Sequence, residues 1–200
     1  MLMLSLLGIY STHLVLEVVN ISIIAYLSVI MIGLVTVVVH HIPLGMNVWV
    51  EVIWLMSPTC IMVVLLLRAI MIQYYSDECI MIMDGITVVG NQWFWVWGLD
   101  VESIYVYLIR ERASLLGDLR IVGTIQSILI PVGSTILLTC SAADVIHSFT
   151  IPVLGCKTDL VPGRSNVITL VASMSGILYG QCSEICGTLH GFMPISILSV

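Results

Sequence analysis

The sequence predicts a two-helix membrane hairpin followed by an all-β domain, and three observations support this fold class. Of the 200 residues, 60% are hydrophobic and 9% are charged, whereas soluble domains usually contain about 25% charged residues. The two longest apolar runs lie before residue 76, and from Asp77 onward the apolar runs are short and rich in Val, Ile, Thr and Tyr. We therefore divide the chain into a transmembrane hairpin, residues 1–76, and a β domain, residues 77–200.

Two apolar runs predict the helices of the hairpin. Val18–Val39 contains no charged residue and Val52–Tyr75 contains only Arg68. Each run is long enough to cross the hydrocarbon core, which takes about 20 residues as a helix. We expect Arg68 to extend towards Tyr74 and Tyr75, which mark a membrane interface. The segment His40–Glu51 joins the helices, so both ends of the hairpin lie on one side of the membrane.

Short apolar segments between Gly, Pro, Asn or Asp predict the strands of the second domain, which we expect to form a sandwich or barrel. Examples are Ile80–Val89, Ser103–Ile109, Ile125–Ile130, Thr135–Thr139, Asn166–Ala172 and Ile195–Val200. Trp93, Trp95 and Trp97 alternate with other residues, as side chains on one face of a strand do. We expect Trp95 and Trp97 to pack in the core.

Charge and cysteine content exclude several classes of protein. The net charge of −6 argues against a nucleic-acid-binding protein, which needs a basic face, and is compatible with a cationic protein partner. The N-terminus lacks the basic region and cleavage pattern of a signal peptide, so we do not expect it to be cleaved. Buried, unreactive thiols are expected at Cys60, Cys79, Cys140 and Cys156.

The segment Cys182–Met193, which we name the copper loop, gathers two Cys, one His and one Met before the last predicted strand. Sulfur ligands combined with imidazole suit copper in electron transfer. A single copper of this kind needs one Cys, so the second one, Cys186, suggests two thiolates that bridge two metals. His147 is the only other His in the β domain, and by elimination it completes the site.

Two other interpretations of this cluster remain open. The spacing Cys-x3-Cys-x3-His can also hold zinc, although the thioether of Met193 is a poor zinc ligand and a common weak copper ligand. In an oxidising compartment, Cys182 and Cys186 can instead form a disulfide, or they can be inert thiols.

Several segments match one known pattern. Tyr179–Gly187 is followed by His190 and by Met193-Pro194. The other matching segments are Gly90–Trp95, Asp144–Phe149, Leu154–Asp159 and Pro162–Arg164. Together with two helices before one β domain, they resemble the cytochrome c oxidase subunit II family over nearly the whole chain. The resemblance implies that the β domain is a cupredoxin-like Greek-key barrel.

The resemblance also implies a binuclear copper centre, CuA. Its implied ligands are His147, Cys182, Cys186, His190, Met193 and the backbone carbonyl of Glu184. Cys182 and Cys186 would bridge both coppers, with His147 and Met193 completing one of them. The side chain of Glu184 would help to bind Mg²⁺ at the interface with subunit I, because a carboxylate suits this hard cation.

The function implied by the resemblance is to accept electrons from cytochrome c and to relay them to haem in subunit I, where oxygen is reduced to water and protons are pumped. Trp93 matches the family's surface Trp through which electrons enter, and Glu51 matches a Glu near the mouth of a proton channel. The implied location is the mitochondrial inner membrane, with both termini in the intermembrane space. Subunit I and other subunits of complex IV are the implied partners.

Cytochrome c presents a Lys-rich face, so the resemblance implies an acidic docking surface. Its candidates are Gln92, Asp100, Glu102, Asp118, Asp144 and Asp159. The region has fewer carboxylates than the family pattern, with Gly123 and Ile125 in an often acidic stretch. We therefore expect weaker electrostatic steering, or docking that is helped by extra subunits. Two further classes are a copper-free quinol-oxidase subunit II, which the intact ligand set disfavours, and a membrane-tethered zinc module.

Overall fold

The computed structural model describes residues 6–38, 48–77, 84–99, 102–109 and 119–200. The chain forms two compact units. One unit spans Tyr10–Tyr75, and the other contains Ser76–Val200. The first holds the two helices and the second holds the strands.

The first unit is a pair of long apolar helices, α1 (Leu6–Val38) and α2 (Val48–Asp77). Within them, Gly8–Val35 and Glu51–Tyr74 are long and apolar enough to cross a membrane. Many of their Val, Ile, Leu and Met side chains are exposed in the isolated chain. Lipid or other apolar surfaces must cover such side chains, as in membrane-spanning helices.

Helix α1 begins twelve residues before the predicted start at Val18, because the charge of Glu17 does not end it. Glu17 accepts a hydrogen bond from the guanidinium of Arg68 on α2. A charged side chain within an apolar helix is stabilised by an opposite charge nearby, and Glu17 supplies that charge for Arg68. The sequence did not predict this ion pair, and the expectation that Arg68 extends towards Tyr74 and Tyr75 stays a prediction.

The second unit contains ten strands among the described residues. They are β1 (Asp84–Asn91), β2 (Phe94–Leu99), β3 (Glu102–Val106), β4 (Ile128–Ile130), β5 (Thr135–Ala142), β6 (His147–Ile151), β7 (Cys156–Leu160), β8 (Asn166–Val171), β9 (Gly176–Gln181) and β10 (Pro194–Ser199). The strands form a five-stranded sheet in the order β3-β2-β1-β5-β8, a three-stranded sheet β4-β10-β9 and a ribbon β6-β7. The predicted fold class, two helices followed by a strand-rich domain, is confirmed.

Pairing between strands distant in the sequence brings the ends of several strands together. β1 pairs with β2 in antiparallel and with β5 in parallel orientation, while β10 pairs with β4 in parallel and with β9 in antiparallel orientation. Parallel pairs require crossover connections. As a result, the β1–β2 turn, the start of β6 and the β9–β10 connection all contribute to one site.

The aromatic core lies directly beside that site. Trp95 and Trp97 are fully buried, as predicted, and both contact the ring of Phe149 edge-on at a centroid distance of 5.7 Å. Phe149 lies two residues after His147 on β6. The ring of Trp95 is 6.1 Å from that of His147. Edge-to-face packing of this kind holds rings in defined orientations, so the core fixes the strand that carries His147.

Candidate metal centre

The copper loop connects β9 to β10 and is closed at its base by backbone hydrogen bonds. The Cys182 N–H donates to the Met193 carbonyl at 3.1 Å, and the Ser183 N–H donates to the Ser148 carbonyl of β6 at 3.0 Å. The indole N–H of Trp95 donates to the same Met193 carbonyl at 3.5 Å. These bonds anchor the loop to two strands and to the core.

Two thiols and an imidazole converge at the base of this loop. The ligand atoms of His147, Cys182 and Cys186 all lie within 4.8 Å of one another, and all three residues are buried. The Cys182 and Cys186 sulfurs are 3.9 Å apart. This separation is far longer than a disulfide bond of about 2.05 Å, so the disulfide interpretation does not describe this structure. One metal ion can contact both sulfurs, since metal–thiolate bonds are about 2.3 Å long.

The remaining predicted ligands surround the three-residue cluster. Nδ1 of His190 lies 3.6 Å from the Cys186 sulfur, and the Cys182 thiol donates to the Glu184 carbonyl at 3.3 Å. Met193 is 1% exposed. Two thiols, two imidazoles and a carbonyl thus come close together, and the buried thioether of Met193 belongs to the same loop. The softness of these donors fits copper better than a hard cation.

A carboxylate orients the imidazole of His147. Nδ1 of His147 faces the Cys182 sulfur at 3.8 Å, and Nε2 is 2.8 Å from Oδ1 of Asp144. Metal-binding His residues commonly bond their second ring nitrogen to a carboxylate in this way. Burial alone would lower the pKa of His147, but its hydrogen bonds to Cys182 and Asp144 raise the pKa above the usual value.

The two thiols differ in acidity. Burial opposes ionisation of Cys182, but hydrogen bonds to His147 and to the backbone at Ser148 and Glu184 outweigh it and lower the pKa to about 6. Burial and the nearby Cys182 charge raise the pKa of Cys186 to about 12. Cys182 therefore loses its proton more readily than Cys186, and a metal that binds both sulfurs must displace the protons that remain.

The turn between β1 and β2 contacts the copper loop. The backbone N–H of Gln92 donates to Oδ2 of Asp144 at 2.7 Å, and its side-chain amide donates to the Cys186 carbonyl at 2.7 Å. Trp93 is half-buried beside Gly187. The sequence suggested Gln92 and Asp144 only as docking residues. Their contacts with the metal site were missed, because no local signal shows which distant loop a turn will meet.

The other predicted site residues lie elsewhere. Glu102 on β3 and Asp159 on β7 are exposed and do not join the cluster. Glu51 is an exposed residue of the first turn of α2. Asp100 and Asp118 lie outside the described residues. Cys140 and Cys156 are buried thiols as expected, whereas Cys60 on α2 is exposed, contrary to expectation, and Cys79 is outside the described residues.

A sequence profile described as "Cytochrome C oxidase subunit II, periplasmic domain" matches residues 85–200, more than half of the chain. The chain belongs to the cytochrome c oxidase subunit II family. It is therefore a subunit of cytochrome c oxidase. Subunit II proteins bind copper, and the cluster of His147, Cys182 and Cys186 is compatible with a CuA site.

Relatives and solved structures agree with this assignment. Cytochrome c oxidase subunit 2 of Apis florea is 37% identical over 151 residues, covering 75% of this chain and 67% of that protein. The periplasmic domain of subunit II (CoxB) of Bradyrhizobium japonicum is 33% identical with a TM-score of 0.54, covering 62% of this chain and 85% of that one. This solved structure confirms the expected cupredoxin-like β domain.

A second structure captures a subunit II domain in a mixed disulfide with a thioredoxin-like protein. The subunit II domain in that structure is 31% identical to this chain, with a TM-score of 0.52. The match covers 62% of this chain and 86% of that domain. Both solved structures thus match this subunit II chain at a similar level over the same share of its length.

Proposed function

We propose that this chain accepts electrons from cytochrome c at a binuclear CuA centre and relays them to haem in subunit I, where oxygen is reduced to water and protons are pumped. The convergence of Cys182, Cys186 and His147 in one buried cluster carries the proposal. When bound there, the copper pair supplies a one-electron carrier whose charge is shared over both metals.

The chain's own residues keep such a site rigid. Six groups would hold the metals: the side chains of Cys182, Cys186, His147, His190 and Met193 and the backbone carbonyl of Glu184. The backbone bonds of Cys182 and Ser183 hold the loop to Met193 and β6. Because protein groups fill every expected position, the site has no room for a substrate and is suited to relay electrons.

Electrons enter this proposed relay at Trp93. The indole is half-buried, and its ring edge lies against Gly187, the residue after Cys186. An aromatic ring placed between the protein surface and a metal ligand can be approached by a donor protein from outside. Cytochrome c, with its Lys-rich face, is the donor that we propose.

The surface around Trp93 is more apolar than acidic. A cavity of about 640 Å³ is lined by Trp93, Tyr107, Leu108, Ile109, Ile125, Leu189 and Phe192. Both carboxylate oxygens of Asp144 already accept hydrogen bonds from groups of this domain. Glu102 and Asp159 remain exposed for a basic partner. We propose that docking depends on apolar contact, with weak electrostatic steering.

Three further roles complete the proposal. The Glu184 side chain would bind Mg²⁺ together with subunit I, and Glu51 would lie near the mouth of a proton path. The hairpin would span the mitochondrial inner membrane beside subunit I and other complex IV subunits. Both termini would then face the intermembrane space.

Stopped-flow reduction of the purified oxidase by cytochrome c tests the proposal. In Trp93→Phe, we expect reduction of the copper site by bound donor to slow by more than about tenfold, because the transfer geometry is lost. Copper content and spectrum should not change. Trp54→Phe on α2 is the matched control. Equal reduction rates in Trp93→Phe and Trp54→Phe would contradict electron entry at Trp93. An ionic-strength dependence of the rate as steep as in acid-rich relatives would contradict the proposed mode of docking.

A further inference from the structure

We propose that Gln92 is a positioning residue that holds Trp93 against the copper loop through two hydrogen bonds, one from its backbone and one from its side chain. The inference rests on the proposed function, because it assumes that electrons enter at Trp93. It assigns Gln92 a role different from docking the donor protein. Four observations on the β1–β2 turn and the copper loop support it.

The first bond connects the turn to a metal-ligand residue through a carboxylate. Oδ2 of Asp144 accepts the Gln92 backbone N–H at 2.7 Å, while Oδ1 of the same carboxylate is 2.8 Å from Nε2 of His147. One carboxylate therefore orients His147 and fixes the backbone immediately before Trp93. Hydrogen bonds to a charged acceptor are among the stronger ones in proteins.

The second bond connects the same residue to the copper loop. The side-chain amide of Gln92 donates to the Cys186 carbonyl at 2.7 Å, across a sequence separation of 94 residues. Gln92 is an exposed residue, but this bond is partly buried and so is partly shielded from competing water. Gln92 is thus held at both its backbone and its side chain by groups of the metal site.

Gly187 provides the space that this arrangement needs. A Cβ atom at Gly187 would lie 3.0 Å from the Gln92 amide nitrogen, and 3.2 and 3.3 Å from Cζ2 and Nε1 of Trp93. Its φ of +123° is also in the region that favours glycine. The turn and the loop are therefore packed against each other at the Trp93 ring edge.

Trp93 has no polar anchor of its own among the residues that the structure describes. Its indole nitrogen is buried, yet no hydrogen-bond acceptor lies within reach in that part of the chain. The ring position consequently depends on packing and on the backbone that Gln92 fixes. Loss of the Gln92 bonds should loosen Trp93 without removing any proposed copper ligand.

The test compares Gln92→Leu with Gln126→Leu in the purified oxidase. Gln126 is an exposed residue of the same domain, so it is a matched control. In Gln92→Leu, we expect the maximal rate of copper-site reduction at saturating cytochrome c to fall about threefold or more. The donor concentration for half-maximal rate and the electron paramagnetic resonance (EPR) signal of the site should be unchanged.

Hydrogen exchange gives a readout that does not depend on turnover. Amide exchange in residues 90–95 should rise about fivefold in Gln92→Leu, as expected for the loss of one hydrogen bond. It should stay at the wild-type level in Gln126→Leu. If Gln92→Leu does not assemble, Gly187→Ala, which displaces the ring directly, should produce the same slowed transfer and faster exchange.

Three outcomes separate the inference from the proposed function. Unchanged maximal rate and exchange in Gln92→Leu would overturn the inference. A higher cytochrome c concentration for half-maximal rate in Gln92→Leu, with an unchanged maximal rate, would also overturn the inference. It would indicate that Gln92 instead helps to dock the donor protein. Faster amide exchange in Gln92→Leu would support the positioning of Trp93. If electron transfer were nevertheless normal in Trp93→Phe, the proposed electron entry through Trp93 would be rejected instead.

Discussion

At the scale of single residues, the two thiols of the copper loop have unequal roles before a metal binds. Cys182 faces His147 and two backbone groups, which lower its pKa to about 6, whereas the pKa of Cys186 is raised to about 12. The Cys182 sulfur therefore gives up its proton to an incoming metal more readily than the Cys186 sulfur does. Asp144 supports both parts of the site, because it orients His147 and holds Gln92.

Met193 offers a test at this scale, because Leu has a similar volume and lacks the thioether. In Met193→Leu, we expect the free energy of unfolding to change by less than about 1.5 kcal/mol. The reduction potential of the site should shift and electron transfer to haem should slow, since a weakly bound thioether would tune the potential. Redox titration and flash photolysis measure these effects.

The control for this substitution is Met174→Leu, which changes an exposed Met of the same domain. It should leave the potential and the transfer rate unchanged. If Met193→Leu behaves in the same way as this control, Met193 is not a copper ligand.

The ligand types and their spacing could be predicted from the sequence, because Cys182, Cys186 and His190 lie in one short segment. The positioning roles of Gln92 and Asp144 could not. They depend on the β1–β2 turn meeting a loop that lies 94 residues later in the chain. Side-chain chemistry predicts what a residue can bind, but tertiary pairing decides which partner it meets.

At the scale of elements, β6 and β9 carry the site. β6 begins with His147, and β9 ends immediately before Cys182. Gly180 of β9 lies so close to β6 that a Cβ atom there would overlap the Thr150 carbonyl oxygen. Close approach of two backbones is a common reason for Gly within a strand. The distance between the two strands therefore sets the distance between the ligands.

Gly180→Ala tests this dependence. The added methyl group meets backbone, which cannot rotate away, so we expect a loss of about 1–3 kcal/mol in unfolding free energy. Copper should also be retained less well. Thermal unfolding and copper content of the assembled oxidase measure both effects.

Gly85→Ala is the matched control for Gly180→Ala, because a Cβ atom at Gly85 meets nothing within 4 Å. Equal stability and copper content in the two variants would show that close contact between β6 and β9 does not hold the site together.

The sequence predicted six of the strands by their apolar runs, and the alternating Trp residues predicted a seventh, β2. It did not predict β6, β7 or β9 as strands. β6 contains polar residues such as His147 and Ser148, and β7 contains Lys157 and Asp159. In β6 the polar side chains of His147 and Ser148 are themselves buried, whereas in β7 the polar Lys157 and Asp159 are exposed and the strand is only five residues long. Functional residues thus weaken the periodicity from which strands are recognised.

At the scale of the whole molecule, the chain combines two long apolar helices, which can cross a membrane, with a β domain that carries the site. The hairpin contains one ion pair, Glu17–Arg68, among its described residues. His13 and Tyr10 line a cavity next to this pair. An unpaired charge in an apolar environment is unfavourable, whereas a pair compensates itself. The pair therefore permits both charges to lie within apolar helices.

Single and double substitutions of this pair test its role. Glu17→Gln and Arg68→Met should each lower the amount of subunit II assembled in the membrane, because each leaves one charge without its partner. The double variant should recover most of the loss. Quantitative immunoblotting of purified membranes measures this effect. Losses that simply add in the double variant would contradict an interaction between the two side chains.

The central claim is that the chain holds two coppers that share one electron at Cys182 and Cys186. Metal analysis and EPR spectroscopy of the purified oxidase test this claim. A Cys186→Ser variant measures the copper that belongs to other subunits, which is then subtracted. We predict two coppers for each subunit II chain and a mixed-valence signal shared by both metal nuclei. One zinc per chain, no metal, or a signal from a single isolated copper would contradict the claim.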